Sequence, residues 1–405
     1  MRKYHLTAAM ALASLANIPH SLAGGLWLNE FGDFAGGRAS AGAAAGVDEP
    51  STLLHNPASV TRLKGSQLQV TGAALLPSLK FDQTSDPAGG PGGGDGGDAG
   101  VLSPAGGLFY VHDTQSDRWG AGMYFSGLAG IGLDYDKDWV GRYQAIDSSL
   151  LIATFAPTAA YRVTDRLSLG ASMQWYFASL DTGLRIPNPL PGREDGTARL
   201  DGTDSEVAYT LGLLYQFSDS TRLGIKYQSE MSPDFDGNLS LKKLPVEVDT
   251  NTSLTMAQFV RVGLYHQFTD KLALDLTLGW DDWSAMDEVF VSVANTGAGL
   301  DRNARDTQQV AVGMEYVVTE RWTMTAGVSY DTNPMDADYR TADMPLDRQI
   351  HVGLGSQYMY SDELSLSGYL NYADLGEARI TTPTWQGKYD TSVIYQVGVS
   401  ARWHF

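Results

Sequence analysis

Apolar and polar residues alternate with a period of two through most of the chain. Leu272, Leu274, Leu276, Leu278 and Trp280 form one series, and Ala273, Asp275, Thr277 and Gly279 the other. Leu167, Leu169, Ala171, Met173, Trp175 and Phe177 repeat the pattern, with Ser168, Gly170, Ser172 and Gln174 between them. Successive residues of a strand point to opposite faces, so each run predicts a strand with one apolar and one polar side. From residue 107 such runs come in pairs, as in TAAYRVTDRLSLGASMQWY and VGLYHQFTDKLALDLTLGW. The joining turns are short and polar and centre on 113–117, 164–166, 218–220, 269–270, 319–320 and 361–362. Longer polar connections fall near 82–101, 133–148, 182–205, 233–251, 283–304, 333–347 and 375–388. Twelve strands in six hairpins, one before them and one after, predict fourteen.

A soluble β-sandwich also alternates. These runs, however, are about 10 to 15 residues long, where strands of soluble domains are mostly 5–6. Short turns alternating with long connections, and aromatics near strand ends (Trp119, Trp175, Trp280, Trp322, Tyr330, Tyr372), match outer-membrane barrels and their interfacial girdles. Lipid offers no partner to a backbone N–H or C=O, so the sheet must close. The predicted fold is all-β: a 14-stranded antiparallel transmembrane β-barrel. The last run, Val393, Tyr395, Val397, Val399, Ala401, Trp403 and Phe405, is apolar on one side. Trp403 and Phe405 resemble the assembly signal of bacterial outer-membrane barrels, which makes the barrel assembly machinery an expected partner.

The N-terminus lacks the strand period. Arg2 and Lys3, an apolar stretch from Leu6 to Ile18, and Ser21-Leu22-Ala23 predict a secretory signal peptide over 1–23. Residues 24–64 come next, rich in Gly and Ala yet carrying Trp27, Leu28, Phe31, Phe34, Leu53 and Leu54, more apolar groups than a linker holds. A fourteen-stranded barrel is too wide for its own side chains to fill. Residues 24–64 are therefore read as an N-terminal plug inside the lumen of a barrel formed by 65–405. Asn56-Pro57 marks a rigid turn in it, because Pro fixes its own φ and restricts the residue before it.

Composition narrows the function. The chain has no Cys, which removes disulfides and thiolate sites, and its formal net charge of −19 argues against a nucleic-acid partner. No H-E-x-x-H, G-x-S-x-G or P-loop pattern occurs, and His351 and Ser356 are five positions apart on one strand. GGDGGD at 93–98 is one isolated copy of a calcium-repeat half and reads as a flexible loop. The expectation is a protein that is not an enzyme and holds no cofactor or metal.

Leu28-Asn29-Glu30-Phe31, Gly37-Arg38-Ala39, Gly42, Asn56-Pro57-Ala58, Trp139-Val140-Gly141-Arg142-Tyr143, the Thr-Asp turns, Asp282-Trp283-Ser284 and Phe405 follow one another in order along the chain. In these ordered motifs it resembles the FadL-type outer-membrane transporters of long-chain fatty acids and aromatic hydrocarbons. The resemblance implies a barrel with an N-terminal hatch that includes Asn29, Glu30, Phe31, Asn56, Pro57 and Ala58. It also implies passive uptake of a hydrophobic small molecule into the Gram-negative outer membrane, lateral exit beside a kinked third strand, and a monomer surrounded by outer-membrane lipid and lipopolysaccharide.

Gly120, Gly122, Gly127, Gly130 and Gly132 crowd the third strand, and glycine in a strand weakens pairing and marks bulges. Gly127, Gly130 and Gly132 are the expected lateral opening. For a carboxylate ligand, Arg142, Arg185 and Lys226 are the head-group candidates. Two other functions fit a barrel: a general diffusion porin with an open, charged lumen, and a non-transporting surface adhesin.

Overall fold

The computed structural model describes residues 33–85, 90–188, 194–242, 246–286, 288–293 and 296–405. The expected signal peptide and Asn29, Glu30 and Phe31 lie outside them. Fourteen strands form one antiparallel ring: β1 (Gln67–Ser85), β2 (Ser103–His112), β3 (Trp119–Asp134), β4 (Asp147–Arg162), β5 (Leu167–Ile186), β6 (Gly196–Ser218), β7 (Thr221–Gln228), β8 (Phe259–Gln267), β9 (Leu272–Asp281), β10 (Thr307–Thr319), β11 (Trp322–Asp331), β12 (Gln349–Met359), β13 (Leu364–Asp374) and β14 (Gln386–His404). Each pairs with the next, and β14 closes on β1 from Gln67↔His404 upward. Ser66 and Phe405 exchange both backbone hydrogen bonds, sealing the seam at its end.

The ring is built inside out relative to a soluble protein. Leu169, Met173, Trp175, Phe177, Leu278, Val397 and Val399 are exposed, whereas Ser168, Ser172, Gln174, Asp275 and Thr277 are buried. The apolar series of each strand therefore faces lipid, and the polar series faces the interior. Trp119, Trp322 and Trp403 ring the end that carries the short turns, and Tyr209, Tyr330, Tyr372 and Tyr395 ring the other. Short turns in outer-membrane barrels are periplasmic, which sets the orientation.

Several of the connections expected to be irregular are partly strand, among them Ile380–Thr381, which pairs with Gln386 and Gly387 of β14. β5 and β6 stay paired from Leu167↔Tyr215 to Ile186↔Gly196, and Asp234–Lys242 and Val246–Ser253 form a hairpin beside the upper part of β6. A further hairpin, Glu288–Val293 with Thr296–Asp301, pairs beside it. Polar, Pro- and Gly-punctuated sequence had pointed to loops. Outside the membrane, however, a strand needs no apolar face once a neighbour takes its backbone hydrogen bonds, so these segments extend the sheet into water.

Candidate functional site

Residues 33–63 form four short helical turns, Phe34–Arg38, Ala43–Ala45, Thr52–His55 and Pro57–Arg62. These pack against β3–β8 and β10–β13. The strands offer glycines where the backbones meet. Gly170, Gly212, Gly224, Gly263, Gly313 and Gly327 each lie against this segment. A Cβ at Gly224 would overlap the Ala44 carbonyl, so only glycine permits that approach.

Polar bonds do the rest. Arg38, fully buried, pairs with Asp275 of β9 at 3.2 Å and with Glu315 of β10. Arg222 of β7 donates to the carbonyls of Ala45 (2.9 Å) and Gly46 (3.1 Å). Ser51 N donates to Gln69 of β1 (2.8 Å), and Gly42 N to Thr277 of β9 (2.8 Å). Within the segment His55 and Asp33 share a 2.6 Å hydrogen bond. Burial works against the Asp33 charge, but the pull of His55 outweighs it and keeps that carboxyl below the usual range. Burial, then the nearby Asp33, pushes Glu49 upward. The attachment is mixed: Leu53, Leu54 and Val60 join the buried apolar cluster of the interior, whereas the hydrogen bonds and ion pairs can be exchanged for water.

Asn56 is the joint of this segment. Its Oδ1 accepts from Ala58 N (3.0 Å), capping the turn that Pro57 opens, while its Nδ2 donates to Ala44 O (2.6 Å) and Leu213 O of β6 (3.0 Å). Asn56→Ala removes both bonds and leaves the buried Ala44 carbonyl without this donor, at about 1–3 kcal/mol. We expect the variant to keep its barrel but to show frequent open bursts in planar-bilayer recordings; a trace as quiet as that of the parent would contradict this role.

A second feature is a break in the wall. β3 pairs with β2 only from Ala121↔His112 to Ser126↔Gly107. Beyond that, Ser103–Gly106 ladder with β1 alone and Gly127–Gly132 with β4 alone, although the Ser126 hydroxyl donates to Gly106 O (3.2 Å) at the start of the break. The β3–β4 register slips at Leu128, a bulge between Gly127 and Ala129. The wall closes again where Gly100 bridges Leu133 and Asp134 N donates to Ala99 O (3.0 Å). Residues 101–106 thus face 127–132 with no ladder. A Cβ at Gly127 meets nothing within 4 Å, and one at Gly132 comes 3.1 Å from Val101 Cβ. Leu102 at this edge is 63% exposed. Open backbone in a lipid-facing wall is costly, so the break is a built feature.

Toward the outer end the interior turns apolar. Phe109, Tyr124, Leu128, Leu150, Ile152 and Tyr176 point inward from β2–β5 and belong to one buried cluster. Met231, Met256, Met286, Met335 and Met344 join it from the outer connections. Phe81, Tyr135, Trp139, Trp385 and Tyr389 interlock above, with Tyr135 stacked on Trp139 at 4.2 Å.

The three cation candidates separate. Arg142 donates to Pro91 O, Gly92 O and Trp139 O, and pairs with Asp195, so it clamps loops together. Arg185 binds Thr197 and lies 3.9 Å from Asp138 at the outer surface. Lys226 is buried on β7, its Nζ 4.8 Å from the Phe259 ring centre, and among the described residues no carboxylate pairs with it. The sequence offered Arg38 only as part of the Gly37-Arg38-Ala39 motif and gave no role to Asp275, Glu315 or Leu128. A charge in the inward series of a strand is the visible signal for Asp275 and Glu315.

The sequence profile of the outer membrane protein transport proteins (OMPP1/FadL/TodX) matches residues 13–404. The chain is 22% identical to the long-chain fatty acid transport protein of Escherichia coli O6:H1, over 90% of each chain. A crystal structure of a Pseudomonas aeruginosa FadL homologue superposes with a TM-score of 0.86 at 21% identity, covering 94% of this chain and all of the other. The Ralstonia pickettii toluene transporter TbuX superposes at 0.71 with 20% identity, over 93% and 99% of the two chains. Profile, ring and lipid-facing band agree: the chain belongs to the OMPP1/FadL/TodX family of outer membrane transport proteins.

Proposed function

We propose that this protein carries hydrophobic compounds, long-chain fatty acids or hydrocarbons, passively across the outer membrane. The observation that carries this reading is the apolar interior at the outer end, with Leu128, Ile152 and Tyr176 turned away from lipid and into the barrel. A diffusion porin needs a polar, open bore there. Burying each CH₂ of a ligand gains about 0.8 kcal/mol, so capture from water needs no energy input. The buried methionines suit ligands of varied shape, since Met is unbranched and polarizable. Residues 24–64 act as the hatch, which the polar anchoring of 33–63 to strands around the ring supports. Release is lateral, through the break between 101–106 and 127–132, so the ligand passes into the bilayer without meeting water. Lys226 is the head-group cation for a carboxylate, being buried and, among the described residues, without a carboxylate partner. Trp403 and Phe405, exposed at the periplasmic rim, serve barrel assembly, and the working unit is a monomer in outer-membrane lipid and lipopolysaccharide.

The decisive experiment identifies the ligand that copurifies from membranes by mass spectrometry, then compares oleate and toluene uptake in a host lacking its own transporter. Saturable uptake of either is expected, with little steady conductance in planar bilayers. A large steady current, or uptake of neither compound, overturns the proposal.

A further inference from the structure

Three titratable side chains meet inside the N-terminal segment, away from the apolar chamber. Asp33 Oδ2 and His55 Nε2 share their 2.6 Å hydrogen bond, and Glu49 Oε1 accepts from Phe34 N (2.9 Å) and Ser51 Oγ (3.2 Å). Asp33 and Glu49 are each 1% exposed, and His55 is 8% exposed. These bonds tie the head of the segment, Asp33 and Phe34, to the stretch from Glu49 to His55. They lie near the periplasmic rim, because Ser51 N donates to Gln69, two residues above the start of β1.

The barrel brings little charge to this site. Gln357 Nε2 of β12 lies 3.4 Å from Glu49 Oε2, and β11 and β13 bring Thr325 and Tyr369 against Gly37 and Gly36. Arg402 of β14 is the cation that acts on Glu49, but it also donates to Asp48 O and Ser365 Oγ. Arg38, which acts on Asp33, is committed to Asp275 and Glu315. Asp48 pairs with Arg62 (3.0 Å), and Arg162 and Arg222 donate to carbonyls further along the segment. Two carboxylates in one dry site do not both stay ionised without a matching counter-charge, so one proton has to remain within the group.

We propose that Asp33, Glu49 and His55 form a proton-operated latch, which seats the head of the N-terminal segment while the three share a proton and frees it when that proton leaves to the periplasm. This rests on the reading of residues 24–64 as the hatch and adds what releases it. Burial and the Asp33 charge hold Glu49 above the ordinary glutamate range. Its contribution to the seat is therefore complete below that range and is lost as pH climbs through the raised value. Against the pull of burial, His55 holds Asp33 below the ordinary aspartate range, so the Asp33 contribution is lost only in strong acid. The seat is tightest in mild acid and loosens toward alkali. With the head lifted, water reaches Arg38, Asp275 and Glu315 and can replace their ion pairs.

The test is planar-bilayer recording at about pH 5 and about pH 8, a window that spans the raised carboxyl. The proteins are the parent, Glu49→Gln, Asp33→Asn and Asn56→Ala, with folding checked by resistance to detergent unfolding. Open events of the parent should become about tenfold more frequent in alkali and subside on return to acid, since one unit of pKa difference is a tenfold change. Glu49→Gln keeps the oxygen that accepts from Phe34 and Ser51 but cannot ionise, and Asp33→Asn removes the opposing charge. Each should lose the rise. A parent equally closed at both pH values overturns the latch, as does a rise that persists in both folded variants. Asn56→Ala reports on the hatch separately. If it opens in acid while the parent shows no response to pH, the hatch stands and the latch falls. If it stays as closed in acid as the parent, the hatch reading itself is refuted.

Discussion

Gly224→Val should produce a folded barrel that leaks. The valine Cβ would occupy the position of the Ala44 carbonyl, where backbone meets backbone and no side-chain rotation can relieve the overlap. Overpacking of this kind costs about 1–3 kcal/mol in soluble cores, and more where backbone must move. The β7 backbone is held on both sides, by β6 and by β8, so the N-terminal segment is the part that shifts. Displacing Ala44–Gly46 also breaks the two bonds from Arg222. Single-channel recordings should show long open events, and cells should become sensitive to bulky hydrophilic antibiotics. Gly72→Val on β1 is the matched control, because a Cβ there meets nothing within 4 Å. Equal leakage from the two variants would mean that the seat of the segment is not what closes the barrel.

A Val101→Cys/Gly132→Cys pair should make uptake redox-dependent. The two Cβ positions lie 3.1 Å apart across the upper edge of the break, a few tenths of an ångström short of the usual disulfide spacing. Residue 101 belongs to a connection that can give by that amount. The natural chain has no cysteine, so no other pairing competes. Oxidised, the bond ties 101 to β3 and prevents the two edges from separating. If ligand leaves sideways, oxidation should cut oleate and toluene uptake by about tenfold or more, and dithiothreitol should restore both. If ligand instead passes down through the displaced N-terminal segment, oxidation should change nothing. The same pair, read with the Gly224→Val leak, separates a sideways route from a vertical one.

Strand number, strand faces and turn positions were all legible in the residues. Leu272–Trp280 and Leu167–Phe177 alternate so strictly that one rule, side chains to opposite faces, fixes which side meets lipid. The ends of β5 and β6 were not legible, since Asp181↔Asp201 and Arg185↔Thr197 pair outside the membrane where side-chain polarity carries no period. The glycines of β3 pointed to a weak wall. Yet the extent of the break depends on where β2 stops pairing, which is a property of two strands and not of one.

The head-group candidates show the same limit. Arg142, Arg185 and Lys226 look alike in sequence, as cations near strand ends. Pairing with Asp195 and with loop carbonyls commits Arg142 to the loops, and Thr197 and Asp138 hold Arg185 at the surface. Of the three, Lys226 faces inward, and among the described residues no carboxylate pairs with it. Local periodicity is enough to dictate an all-β chain, fourteen strands, an apolar outside and a small-residued segment ahead of them. Features that need distant residues to meet took shape only in the closed ring. They are the Arg38–Asp275 anchor 237 positions apart, the seat of Ala44 on Gly224 and the unpaired edge at 127–132. Periodicity sets the face on which a side chain stands; closure of the ring sets what stands across from it.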